Sequence, residues 1–226
     1  MGTRQEDAKQ GAFTFPHGWG GRRKGAGRKP SGRFPGGRAG VPHRRRGELP
    51  QRYPVQVTAR LRDGLPSLRG PCAHAVVLGA FRAGCERFGF RLVHYAVLGN
   101  HMHYLVEARD RRSLTAGLRG LHVRVARRLN QHWGRRGNVF PDRFHERVLR
   151  SPREVWASLA YVLKNARKHG YRQRDGEPDR RSSGRWFEGW RERRGEELTP
   201  DLPVVAPLTW LLGAGWRRCG LVALNE

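Results

Sequence analysis

The stretch FRLVHYAVLGNHMHYLVEA, residues 90–108, contains two apolar runs of strand length separated by Gly99 and Asn100. A Gly-Asn pair between two such runs is typical of a tight β-hairpin turn. Alternate residues of a strand share a face, so His101 and His103 point to one side of the sheet and Met102 points to the other. The stretch therefore predicts an antiparallel hairpin that carries two imidazoles side by side on its second strand.

The flanking segments predict the rest of the fold. Residues 53–61 alternate as a strand does, and residues 67–89, 112–134 and 152–170 carry apolar residues at helical spacing. Ser151, Pro152 and Glu154 match the capping pattern of a helix start, and residues 137–149 suggest an irregular strand. The order strand–helix–strand–strand–helix–strand–helix predicts an α+β domain over residues 51–171. We expect a ferredoxin-like antiparallel sheet with its helices packed on one face.

The chain is strongly basic. Its 226 residues include 45 Lys and Arg against 19 Asp and Glu, a formal net charge of +26. Such a charge favours nucleic acid as the partner, because each neutralised phosphate releases a counterion, with a membrane surface as the second candidate. No stretch approaches the ~18 apolar residues of a spanning helix. No basic segment followed by an apolar run begins the sequence, so we expect no secretory signal. The 3 cysteines suggest no disulfide framework, so we expect a reducing, cytoplasmic setting.

Both ends of the chain differ in composition from the central domain. Residues 1–50 contain 12 Gly and 5 Pro, and 12 basic against 3 acidic residues give them a net charge of +9. With so few apolar residues we expect a disordered basic arm. This arm either follows a nucleic-acid backbone or serves as a solubilising tail. Residues 172–226 form a polar extension that ends in LTWLLGAGWRRCGLVALNE, where we expect a small docking helix.

The third predicted helix carries polar residues opposite its apolar stripe. At about 100° per residue, Val155, Leu159 and Val162 fall on one face of this helix. Tyr161 and Asn165 fall on the opposite side and are neighbours one turn apart. Tyr161 is either an ordinary surface tyrosine or a nucleophile with an amide oxygen beside it. The histidine pair also has two interpretations: it is either a polar strand face or two ligands of one cation.

Three blocks of the sequence resemble a known family. HYAVLGNHMHYLVE (residues 94–107) resembles the His-hydrophobic-His motif of the single-tyrosine transposases, which is commonly MPNHxHLL. RLNQHWGRRGNVFPDRFHERVL (residues 128–149) and LAYVLKNARKHG (residues 159–170) match further blocks in the same order. The chain is similar to the REP-associated tyrosine transposases and their transposase-like relatives over about residues 53–171. Gly99 and Ala166 stand where the family has proline, and neither difference removes a candidate site residue.

This resemblance implies a function and a set of site residues. His101, His103 and Asn165 correspond to the ligands of a divalent cation, Mg²⁺ or Mn²⁺, and Tyr161 corresponds to the nucleophile. The implied reaction is DNA transposition, in which single-stranded or hairpin DNA is cleaved and rejoined through a covalent 5′-phosphotyrosine with a free 3′-OH. The resemblance also implies a nucleoid-associated monomer or homodimer without a membrane partner. The alternatives are a domesticated nucleic-acid-binding protein without turnover and a generic RNA-binding protein.

Further basic residues are candidate contacts to DNA phosphates. Four arginines give the second predicted helix a charged face, and three residues of the following block add to them. His145 contacts a phosphate, helps in proton transfer or is an ordinary strand histidine, and all three interpretations are open. The candidates are Arg119, Arg124, Arg127, Arg128, Arg143, His145 and Arg147.

Overall fold

The computed structural model describes residues 46–174, 176–199 and 202–224. The chain divides into the units Met1–Gly40 and Val41–Glu226, and the described residues belong to the second. Most of the predicted arm, residues 1–45, lies outside the described residues. Residues 46–50 were predicted as part of the arm, but Leu49 is buried in the core and Arg46 pairs with Glu146 at 3.0 Å. The folded domain therefore includes this end of the predicted arm.

The described helices and strands follow the predicted order, with one short strand added. They are β1 (Val55–Arg60), α1 (Pro71–Arg82), β2 (Glu86–Arg87), β3 (Phe90–Val97), β4 (His101–Ala108), α2 (Arg111–His132), β5 (His145–Val148), α3 (Pro152–Lys168) and α4 (Trp210–Gly213). Two short 3-10 helices, Ser183–Trp186 and Gly215–Cys219, lie in the C-terminal segment. No helix among the described residues has the length and apolar character needed to cross a membrane.

The strands form one antiparallel sheet in the order β2-β3-β4-β1-β5. The predicted hairpin is β3 and β4, where Val97 pairs with Met102. β1 lies between β4 and β5 and pairs with both, while β5 is an edge strand. Apart from the short β2, this is the strand order of the split βαβ arrangement. The predicted α+β class with an antiparallel sheet is confirmed.

The two faces of the sheet carry different helices. Met102, Tyr104 and Val106 of β4 join a core with α1 and α2, and we call this side the α2 face. Leu105 of β4 joins a second core with α3 and the C-terminal segment, and we call this side the α3 face. The predicted packing of all helices on one face is thus correct for α1 and α2 and wrong for α3. The odd-numbered side chains of β4 supply a second surface that α3 covers.

Helix α3 lies between the sheet and the C-terminal segment. Its start matches the predicted capping pattern, because the Ser151 side chain accepts a hydrogen bond from the Glu154 amide at 3.3 Å. Trp190, Leu212 and Trp216 of the C-terminal segment are buried in the same core as α3. Glu107 of β4 ties this segment to the sheet by accepting hydrogen bonds from the Leu208 and Thr209 amides, both at 2.8 Å. α3 is therefore held from both sides, which fixes the side chains it directs at β4.

Candidate active site

The two histidines of β4 lie on the α3 face and contact each other. Their ring centroids are 4.9 Å apart at an interplanar angle of 88°. His103 is 3% exposed, and its Nδ1 lies 2.9 Å from the hydroxyl of Thr58 on β1. Its buried Nε2 has no hydrogen-bond partner among the described residues. Burial, followed by the nearby His101 and His169, lowers the pKa of His103 to about 3, so its imidazole is neutral and able to ligate a metal.

Tyr161 of α3 reaches the histidine pair. Its ring meets the His103 ring edge-on, with centroids 5.2 Å apart. The residue is 36% exposed, so the ring is open to solvent on one side while it contacts a buried imidazole on the other. Lys168 places its Nζ 5.2 Å from the centre of the same ring. The structure thus brings the candidate nucleophile beside the candidate ligands, from two elements far apart in sequence.

Asn165 is buried, which corrects the helical projection. The projection placed Asn165 opposite the apolar stripe, yet this residue is 1% exposed, and Ser158 on the same side of the helix is 3% exposed. Ser158 donates a hydrogen bond to the Gln56 side chain on β1 at 2.9 Å, so this polar side of α3 faces the sheet. The C-terminal segment covers the apolar side, which is why both sides of the helix are buried. The Asn165 Nδ2 is buried without a partner among the described residues.

His169 was not singled out from the sequence and belongs to the same group. It caps the C-terminus of α3, and its ring centroid lies 5.1 Å from that of His101. The spacing of Tyr161, Asn165 and His169 at four-residue intervals is the signal that could have predicted it, since such residues line one side of a helix. His101 is oriented by its neighbour, because its Nδ1 lies 2.9 Å from the Asn100 Oδ1.

The residues present fit a divalent cation in their chemistry. His103 Nε2 and the Asn165 amide are both buried with an unpartnered polar atom. A 180° turn of the amide exchanges its nitrogen and oxygen, and that assignment follows from hydrogen bonding rather than from atom positions. Among the described residues, no group of three His, Cys, Asp or Glu side chains is arranged to hold a metal. Imidazole nitrogens and amide oxygens both ligate divalent metals in proteins.

Two of the predicted DNA contacts lie on the same face as the candidate site. His145 of β5 pairs across the sheet with Thr58, and Thr58 pairs on its other side with His103, so the three share one row on the α3 face. Arg147 lies in the next row and forms an ion pair with Glu154 at 3.0 Å. Arg60, which the sequence did not single out, pairs with His101 in the register of β1 and β4. These residues form a polar, basic surface between α3 and the β5 edge.

The predicted arginines of α2 lie away from this surface, because α2 covers the opposite face of the sheet. Arg124 and Arg128 extend towards α1, where a Cβ atom added at Gly84 or Gly79 would come within 3.4 or 2.7 Å of their guanidinium nitrogens. Arg119 and Arg127 are exposed. The α2 arginines therefore do not share a surface with Tyr161.

Comparisons with known proteins find similar chains among the solved structures. No family model and no curated protein matches the chain. A solved structure described as a REP-associated tyrosine transposase bound to a REP hairpin has 19% identity and a TM-score of 0.48, over 58% of this chain and 76% of that one. A structure assigned provisionally as a transposase from Deinococcus radiodurans R1 has 17% identity and a TM-score of 0.36, over 49% and 85%. Both descriptions name transposases, the class that the sequence resembles.

Proposed function

We propose that the protein cleaves and rejoins single-stranded or hairpin DNA, with Tyr161 as the nucleophile and His101, His103 and Asn165 as ligands of a divalent cation. The observation that carries this proposal is the contact of the Tyr161 ring with the His103 ring at 5.2 Å. It joins a half-exposed hydroxyl-bearing side chain to a buried, neutral imidazole with an unpartnered nitrogen.

The proposed reaction exchanges one phosphodiester for another. The Tyr161 oxygen bonds to phosphorus and loses its proton, while the bond from phosphorus to the 3′-oxygen breaks and the 3′-oxygen gains a proton. The covalent 5′-phosphotyrosine retains the phosphodiester energy, so a 3′-OH can attack it in the reverse sense without ATP. When bound, a divalent cation polarises the scissile phosphate and offsets its charge. Two imidazoles favour Mn²⁺ over Mg²⁺ among the ions of this class.

The surroundings supply the remaining needs of such a reaction. Lys168 lies beside the Tyr161 ring, where its charge attracts the phosphate. Arg60, His145 and Arg147 extend the basic surface from the site to the β5 edge. The hydrogen bond between Thr58 and His103 and the burial of both His103 and Asn165 hold these side chains in fixed positions, which supports attack without rearrangement.

A covalent adduct tests the proposal. We expect DNA hairpins with single-stranded flanks and Mn²⁺ to give a protein–DNA adduct that survives denaturing electrophoresis, and Tyr161→Phe to abolish it. Tyr53→Phe is the matched control, since Tyr53 is a second partly buried tyrosine packed against the α3 core. Equal adducts from Tyr161→Phe and the unaltered protein would show that another residue is the nucleophile. Tight binding without any adduct would favour the nucleic-acid-binding protein without turnover.

A further inference from the structure

A second pocket lies on the α2 face, on the other side of the sheet from Tyr161. It has a volume of about 380 Å³ and lies between α2 and residues 137–144, beside edge strand β5. Its walls include Arg119, His122, Phe140, Arg143 and Phe144. A broader, shallower depression of about 710 Å³ continues from it along α2 and shares Thr115, Arg119 and Val123 with it. The pocket volume of about 380 Å³ is within the range of sites that hold small organic groups.

Positive charge is in excess at this pocket. Arg46 and Arg111 both pair with Glu146, at 3.0 and 2.6 Å. Burial lowers the pKa of Arg46, Glu146 raises it, and the neighbouring Arg143 and Arg111 lower it again. Arg46 and Arg111 therefore share one carboxylate, and Arg143 adds a third positive charge beside them. Arg119 and Arg143 are exposed, and neither forms an ion pair within the described residues. Asp142 also lines the pocket and leaves the balance positive. An anion is the complementary ligand.

Aromatic rings give the pocket a stacking surface. The His122 ring lies on the Phe140 ring at 4.6 Å and 27°, and Phe144 meets His122 edge-on at 6.2 Å. The Arg46 guanidinium lies 4.1 Å from the Phe144 ring centre. His122 Nε2 is buried and has no hydrogen-bond partner among the described residues. Rings, guanidinium groups and an unpartnered ring nitrogen are what an unpaired nucleotide requires, since its base stacks and its phosphate is anionic.

Edge strand β5 connects this pocket to the candidate active site. His145 and Arg147 point to the α3 face, whereas Glu146 pairs with Val57 and points to the α2 face, where it meets Arg111. Phe144 and Arg143, which line the pocket, directly precede His145. His145 is two strands from His103, about 10 Å across the sheet. A flexible strand of DNA that passes over β5 therefore contacts basic residues on both faces.

We propose that the pocket binds an unpaired nucleotide of the DNA strand that is cleaved, in the single-stranded flank that crosses edge strand β5. This proposal rests on the proposed function for the identity of the strand. It assigns Arg119 and Arg143 to the phosphate and the Phe140–Phe144 region to the base. Arg119 of α2 then contacts the substrate at a distance from the reacting phosphate.

The length of the flank tests this proposal. Binding is measured by fluorescence anisotropy with Tyr161→Phe protein, which cannot be consumed by cleavage, on hairpins without a flank and with flanks of increasing length on either side. We expect affinity to rise once one flank reaches the pocket, and the Arg119→Gln/Arg143→Gln pair to remove about ten-fold of that gain. Arg194→Gln/Arg218→Gln, a charge-matched pair in the C-terminal segment, should keep the gain. An equal loss from both pairs would overturn the pocket and indicate a general charge effect.

Photocrosslinking locates the nucleotide independently of the variants. A flank with 5-iodouracil at successive positions is irradiated with the full-length protein, and crosslinked peptides are identified by mass spectrometry. Crosslinks to the peptide that contains Phe140 and Phe144, from one or two flank positions, are expected. Crosslinks confined to residues of the α3 face would overturn the proposal. Formation of the covalent adduct by the unaltered protein is measured separately. A pocket that binds no nucleotide and a Tyr161 that does not cleave DNA therefore give different results.

Discussion

Asn165 is the residue on which the candidate cation site depends most, because the two histidines alone leave the ion short of protein ligands. Its amide is 1% exposed and carries a buried atom without a partner among the described residues. We expect Asn165→Ala to weaken Mn²⁺ binding by about ten-fold or more, as loss of groups in and around metal sites commonly does. Isothermal titration with Mn²⁺ measures this without DNA.

Ser158→Ala is the matched control for Asn165. Ser158 is buried on the same side of α3 and hydrogen-bonds Gln56 rather than the histidine pair. Its loss should cost about 1 kcal/mol of stability and leave the Mn²⁺ affinity unchanged. If Asn165→Ala binds Mn²⁺ as Ser158→Ala does, then Asn165 is not a ligand.

His94 makes the stability of the domain depend on pH. Its ring is buried with Nδ1 3.2 Å from the Ser183 hydroxyl, and burial lowers its pKa from 6.5 to about 4. As the pH falls, the unfolded chain therefore takes up a proton at His94 before the folded protein does. The stability that the neutral His94 ring provides is complete above pH ~6.5 and is lost as the pH falls towards 4. The loss is about 3 kcal/mol for one such histidine. The free energy of unfolding, measured in urea, should differ less between pH 7 and pH 5 for His94→Asn than for the unaltered protein. Equal differences would contradict this account.

At the level of elements, the hairpin was predictable and the orientation of α3 was not. The Gly99-Asn100 turn and the alternation beyond it depend on neighbouring residues, so the sequence is sufficient to predict β3, β4 and the shared face of His101 and His103. A helical projection ranks faces by hydrophobicity and takes the polar side as exposed. α3 has two buried sides, because residues distant in sequence cover the apolar one. The burial of Asn165 could not be predicted from the helix alone.

The packing of α2 on the sheet gives a prediction for two glycines of one helix. A Cβ atom at Gly117 would lie 2.1 Å from the Phe90 side chain on β3, so α2 would have to move away from the sheet. We expect Gly117→Ala to destabilise the domain by about 1–3 kcal/mol, the usual cost of overpacking. At Gly120 the added Cβ meets only the end of the Arg124 side chain at 3.3 Å. Gly120→Ala should therefore stabilise the domain by about 0.5–1 kcal/mol through helix propensity. Thermal melts that shift equally for the two variants would contradict this packing.

Across the whole molecule, the net charge of +26 indicated the class of partner but not where that partner binds. The sequence placed all candidate DNA contacts in one group. The sheet separates them, with His145 and Arg147 on the α3 face and Arg119 on the α2 face. Which face a side chain reaches depends on strand register and on where α2 crosses the sheet, and both are long-range properties.

The C-terminal segment is held to the sheet at Glu107, and the position of α3 depends on that attachment. This carboxylate is 3% exposed and also accepts a hydrogen bond from the Thr209 hydroxyl at 2.7 Å, just before α4. Glu107→Gln replaces one acceptor oxygen with a donor and leaves buried groups unpaired, at a cost of about 1–3 kcal/mol. We expect faster trypsin cleavage after Arg217 or Arg218 and weaker Mn²⁺ binding, because α3 loses its outer support. Glu188→Gln is the control, since the Glu188 side chain is 77% exposed and pairs with Arg217 at 3.6 Å. If both variants resist trypsin equally, Glu107 does not hold the segment that covers α3.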